Sequence, residues 1–197
     1  MSIRVAILSA GLCLAPVPGL AQPSSPDRLV AFADIGFGQT ADDEGVLGKG
    51  AIVAAGVGMR ITDRLTLQAL VDRVAYHRDE TWLEFDGRVI FTGVEAAFHY
   101  SPSSRVQPYW SIGGGFFNDD GTAVWKTQFN PLQPYSEERF DRRYTLAAMT
   151  ASGGIEVPIA RQASVRAGVR FHGLLDTGDD AAPHLMLHPT VGMSWRW

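Results

Sequence analysis

Cysteine is almost missing from this sequence of 197 residues, and the only one, Cys13, falls in a short apolar leader. Beyond the leader neither a disulfide framework nor thiol chemistry is available. Ala10-Gly11-Leu12 is also a poor match to the small residues that precede a lipidated cysteine. Long hydrophobic runs are equally lacking. Nothing after the leader reaches the roughly 18 consecutive apolar residues that a spanning helix takes. Positive charge is not in excess, since 17 Lys and Arg stand against 21 Asp and Glu for a net −4, which argues against a nucleic-acid partner. Nor does a 3.6-residue apolar period compete anywhere beyond the leader.

What is present begins with the leader itself. Arg4 precedes an apolar stretch from Val5 to Ala15, then the helix breakers Pro16 and Pro18 and a small-residue exit at Gly19-Leu20-Ala21. This order reads as a secretory signal peptide over residues 1–21, cleaved near Ala21. Residues 22–197 are then one domain with a sizeable core. Their setting is exported, and a hydrophobic share of 46% with 19% charged residues fits a folded chain rather than a disordered one.

Alternation with period two runs through almost all of it. Leu29, Ala31, Ala33, Ile35 and Phe37 share a face, and Ala51, Val53, Ala55, Val57 and Met59 share another. The pattern recurs from Leu65, from Ile90, from Trp110, from Ala147, from Val165 and from Leu185, which predicts eight strands of about 10 to 14 residues. One fault stands out. In the third segment Arg73 falls on the apolar parity while Val74 and Tyr76 fall on the other, so a bulge or strand end is expected there. Connections alternate in length: residues 62–64, 101–105 and 158–162 are short, whereas those after strands one, three, five and seven are long. The layout is that of an up-and-down barrel.

Period two does not say which face points inward. The polar parity carries Gly56, Gly58, Gly113, Gly115, Gly154, Gly168 and Gly192 beside Asp34, Asp72, Glu95, Glu156, Arg60, Arg166 and Arg170. On an outer wall in water so many glycines only weaken strands, but inside a narrow barrel small residues make room for long charged ones. The polar face is therefore read as the interior. The aromatics agree: Phe98, Tyr100, Trp110, Trp195 and Trp197 gather toward the short turns, and Phe37, Phe116 and Phe171 toward the other end, as two belts facing lipid.

With its signal peptide, its eight amphipathic strands, "PYWSIGGGFF" at 108–117 and the terminal "VGMSWRW", the chain resembles the small outer-membrane β-barrel proteins of Gram-negative bacteria, similar to the OmpA transmembrane domain and to OmpX. The resemblance implies an all-β, eight-stranded antiparallel up-and-down transmembrane barrel in the outer membrane. It implies outer-membrane lipids, lipopolysaccharide and the outer-membrane assembly machinery as partners, with Trp197 in place of the usual terminal phenylalanine read by that machinery. No peptidoglycan-binding domain is expected after the barrel, so the anchoring role of full-length OmpA is not implied.

The function expected is structural or in surface interaction, without enzymatic activity, cofactor or metal. Asp34, Glu95, Arg166, Asp72 and Arg170 fall close to one level and should pair into a plug; a narrow channel for small or hydrophobic solutes is the alternative. His172, His184 and His188 share the interior parity and are expected to line the polar mouth, without a compact ligand spacing. A lipid A-modifying enzyme needs a triad, and "FHGLL" supplies no serine beside His172. A soluble lipocalin-like carrier needs the parity inverted. Acidic stretches at 42–44, 118–121 and 176–180 are expected in loops, as turn formers or as holders of divalent cations. The connection 118–142, with Trp125, Phe129 and Tyr135, is expected to be a long surface loop offered to an unknown partner, or else a sheet protruding from strands five and six.

Overall fold

A computed structural model describes residues 28–42, 45–79, 83–100, 102–127, 136–175 and 185–197. The signal peptide expected over residues 1–21 lies outside them. Period-two alternation becomes eight strands: β1 (Leu29–Asp42), β2 (Gly45–Arg60), β3 (Leu65–Asp79), β4 (Leu83–His99), β5 (Gln107–Thr127), β6 (Ser136–Pro158), β7 (Ala163–Leu174) and β8 (Leu185–Arg196). Each pairs antiparallel with its sequence neighbours, and β1 pairs with β8, so the sheet is a closed up-and-down barrel. Closure reaches the last residue. Leu29 and Trp197 exchange backbone hydrogen bonds of 2.9 and 3.1 Å, which fixes the terminal indole at the rim.

The short turns are built from local hydrogen bonds. Between β2 and β3 the Thr62 hydroxyl accepts from the amides of Arg64 and Leu65 at 3.2 and 3.0 Å. Between β6 and β7 the amides of Ile159 and Ala160 both reach the Ala163 carbonyl. At the opposite end the strands outrun the expected 10 to 14 residues, and β5 and β6 have 21 and 23. The expected loop 118–142 is mostly sheet: residues 118–127 belong to β5 and 136–142 to β6, and only 128–135 lie outside the described residues. Those ten residues of β5 add about 33 Å along the strand. The acidic stretch 118–121 accordingly stands in a strand and not in a turn.

The fault at Arg73 has a different resolution from the one expected. β3 runs without interruption, Val53 facing Arg73 on one side and Ile90 facing it on the other, and burial alternates at every residue from Leu65 to His77. No bulge occurs there. Arg73 points outward, and Val74 and Tyr76 point into the lumen, both buried. What changes at Arg73 is the environment on each side of the wall. Toward the turns the outer face of β3 is Leu65, Leu67, Ala69 and Val71; toward the loops it is Arg73, Ala75, His77 and Asp79. β4 does the same from Val94 and Ile90 to Arg88, Asp86 and Glu84, and β5 from Ile112 and Phe116 to Asn118 and Asp120.

The lumen inverts in the opposite sense. Its turn half holds mostly polar side chains, with Phe32 and Leu70 set among them, while the loop half holds Ile52, Val74, Tyr76, Phe85, Val89, Phe91, Phe117 and Met186. A barrel wall that is apolar outside and polar inside thus passes into one that is polar outside and apolar inside.

Candidate functional site

Among the described residues, buried charged and polar side chains concentrate in the polar half of the lumen. Inward positions alternate along each strand, so β1 contributes Asp34, β3 Gln68 and Asp72, β4 Glu95, β5 Tyr109 and Ser111, β6 Thr150 and Glu156, β7 Arg166, Arg170 and His172, and β8 His188, Ser194 and Arg196. Room for them comes from glycines. A Cβ at Gly192 would lie 2.2 Å from the Asp34 carboxylate, and one at Gly56 would lie 2.4 Å from the Phe32 ring.

Two layers of ion pairs result. In the upper layer Arg170 Nη1 donates to both oxygens of Asp72 at 3.0 and 3.1 Å, and its Nε lies 3.5 Å from Glu95 Oε1. Arg166 Nε lies 3.4 Å from Asp34 Oδ1, with its guanidinium between the rings of Phe32 and Tyr109 at 4.4 and 4.8 Å. Glu95 also accepts from Gln68, Ser111 and Thr150, each at 3.0 Å. In the lower layer Glu156 pairs with Arg196 and accepts from the Ser194 hydroxyl at 2.7 Å. A small cavity of about 20 Å³ opens there among Arg60, Gln68, His99, Glu156 and Arg196.

Of the seven charged residues expected inside, Asp34, Asp72, Glu95, Arg166 and Arg170 meet in the upper layer. Glu156 stands apart from them in the lower one. Arg60 sits at the rim, where it reaches Asp63 in the adjoining turn at 3.7 Å. Arg196 was the unrecognised partner of Glu156. Its inward parity was legible, but a charge one residue from the terminus gives no sign of depth.

His172 and His188 do not line the mouth. They are 2% and 1% exposed, beneath the aromatic cluster, with His172 against Phe91 at 4.5 Å between ring centroids. His172 Nε2 contacts Asp72 Oδ2 at 2.9 Å, and the two imidazole centroids are 5.2 Å apart. His184 lies outside the described residues. No group of three or more His, Cys, Asp or Glu side chains among the described residues is disposed around a common point for a metal.

The aromatics expected in two belts all avoid the lumen. Phe98 stacks on Trp110 at 4.4 Å near the turns, Tyr100 follows in the turn, and Trp195 and Trp197 close that rim. Phe37, Phe116 and Phe171 face outward farther up their strands. Between these groups the exposed surface is apolar, with Leu67, Ile35, Val53, Val57, Val94, Val169 and Val191. Above it the outer face is laced with ion pairs: Arg88 to Asp120 at 2.8 Å, and Lys126 to Glu84 at 2.8 Å and Asp79 at 3.3 Å. His77 Nδ1 meets Asp86 at 2.7 Å, and that carboxylate raises the imidazole above its ordinary pKa.

No protein-family model matches the chain, and no curated protein matches it. Solved structures do. Neisserial surface protein A (NspA) superposes with a TM-score of 0.61 at 16% identity, covering 86% of this chain and 97% of that one. Ail, the attachment invasion locus protein of Yersinia pestis, gives 0.53 at 12% identity over 86% and 99%. The N-terminal β-barrel domain of Pseudomonas aeruginosa OprF gives 0.52 at 14% identity over 87% and 98%. At these identities the likeness is one of fold: the chain has the architecture of the small eight-stranded outer-membrane barrels.

Proposed function

We propose that the protein is a non-enzymatic outer-membrane barrel of a Gram-negative bacterium, structural or engaged in surface interaction, whose lumen does not conduct. The observation that carries this reading is the double inversion across the wall. A continuous outer band of exposed Val, Leu, Ile and Phe is far larger than the apolar patches soluble proteins tolerate, and it surrounds buried ion pairs. That combination suits hydrocarbon outside and an ion-paired polar core inside, in the one sheet geometry that leaves no unpaired edge in lipid. Where the outer face turns charged, the strands leave the bilayer. The loop end then projects from the surface as a polar-skinned sheet dominated by β5 and β6.

The ion-paired layer and the aromatic cluster above it together close the lumen, which favours the plug over the narrow channel. Outer-membrane lipids and lipopolysaccharide are the neighbours of the apolar band, the assembly machinery reads the Trp197 end, and a surface partner meets the β5–β6 projection. Extraction in detergent, gel mobility with and without boiling, and single-channel recording in a planar bilayer test the reading. A heat-modifiable band without conductance is expected. Steady conductance overturns the plug, and a chain that is soluble without detergent overturns the membrane assignment.

A further inference from the structure

The least explained side chain in the barrel is His188. It is 1% exposed, and neither ring nitrogen has a hydrogen-bond partner; His172 Nδ1 is also buried and unpaired. A buried polar atom without a partner is costly, and three of them on two adjoining rings call for an occupant. Arrangement on the strands is specific. His188 and Met186 are two residues apart on the inward face of β8, and Met186 pairs directly with His172 across the β7–β8 ladder. All three are buried.

We propose that His172, His188 and the Met186 thioether form a binding site for one soft monovalent cation, Cu(I) in chemical class. Three observations converge on it. First, His172 is set up as a ligand: its Nε2 is held by Asp72 at 2.9 Å, which leaves Nδ1 as the bare nitrogen, the arrangement in which a carboxylate orients a metal-binding imidazole. Second, the ring spacing fits. Two imidazoles bound at about 2 Å, each with its centroid about 1.1 Å farther on, have centroids about 5 Å apart at a tetrahedral angle and about 6 Å apart when linear. The observed 5.2 Å matches the former. Third, the charge favours a cation. Among the described residues of that layer three carboxylates, Asp34, Asp72 and Glu95, face two guanidiniums, Arg166 and Arg170, so the layer is one cation short.

A thioether beside two imidazoles selects a soft ion over zinc or magnesium. Gly38 makes room for the His188 ring itself, since a Cβ there would stand 2.6 Å from its Nδ1.

Silver nitrate in chloride-free buffer is the redox-silent probe. The detergent-extracted protein is given silver both after folding and during refolding, so that a closed lumen cannot mask the site, and retained metal is counted after dialysis. One ion per chain is expected. His188→Phe and the volume-conserving Met186→Leu should each lower affinity at least about tenfold while keeping the heat-modifiable band, and Met149→Leu on the outer wall should not. Independently of any variant, X-ray absorption of the Cu(I)-loaded wild type should show nitrogen and sulfur together in one shell. Absence of retained silver under both loading conditions, unchanged binding in both lumen variants, or a shell without sulfur overturns the proposal.

Discussion

Removing the Arg170 guanidinium is the sharpest perturbation of the lumen. The side chain is 3% exposed and bridges Asp72 and Glu95, whose side chains are 4% and 0% exposed, so Arg170→Met leaves two buried carboxylates without their cation. Breaking a buried pair by deleting one partner costs about 3–5 kcal/mol. Some compensation survives, because His172 still reaches Asp72 and three neutral donors still reach Glu95. About 3 kcal/mol is therefore the expected loss, at the lower end of that range. Adding Asp72→Asn removes one of the orphaned charges and returns the layer to its original balance, so the double variant should recover about 1–2 kcal/mol relative to additivity. Urea unfolding in vesicles, followed by tryptophan fluorescence, measures both. A single variant costing under about 1 kcal/mol, or a double variant that is simply additive, would refute the idea that this layer is held by its ion pairs.

Other consequences follow from separate parts of the wall. Phe117→Ala in the apolar cluster should destabilise the barrel by about 3–5 kcal/mol, as for a large side chain removed from a packed core, and the same assay reads it. Gly56→Val should fold poorly or not at all into vesicles, since its side chain would collide with the Phe32 ring and the Ala69 carbonyl. The His77–Asp86 pair adds a pH dependence. Because the folded imidazole titrates above its ordinary 6.5, the contribution is fully present below that value and is lost as pH rises through the raised one. An NMR titration should find His77 shifted up in the wild type and back near its ordinary range in Asp86→Asn.

The lower half of the barrel was legible because one rule, apolar outward and mostly polar inward, holds from the turns to about residue 72 on β3, with Leu70 and Phe32 as inward exceptions. Glycines on the charged parity disclosed the inside, as the close approach of Gly192 to Asp34 shows. Above that level the rule reverses while the strands continue. A reading keyed to one sign of amphipathicity therefore stopped each strand early, took Asn118 to Asp120 for loop, and treated Arg73 as a fault. Arg73 is better understood as a boundary mark. The histidines were misplaced for the same reason: with the upper lumen assumed polar, His172 and His188 belonged at a wet mouth, whereas Phe91, Phe117 and Met186 cover that level.

The most direct test of the whole account is an arginine depth scan of the outer wall with folding free energies measured in lipid vesicles. Val57→Arg and Val94→Arg, in the exposed apolar band, should each cost about 2–4 kcal/mol, and Ala75→Arg, only four residues beyond Val71 on the same face of β3, about 0–1 kcal/mol. Equal and small costs at all three positions would contradict it, because the band would then face water rather than hydrocarbon.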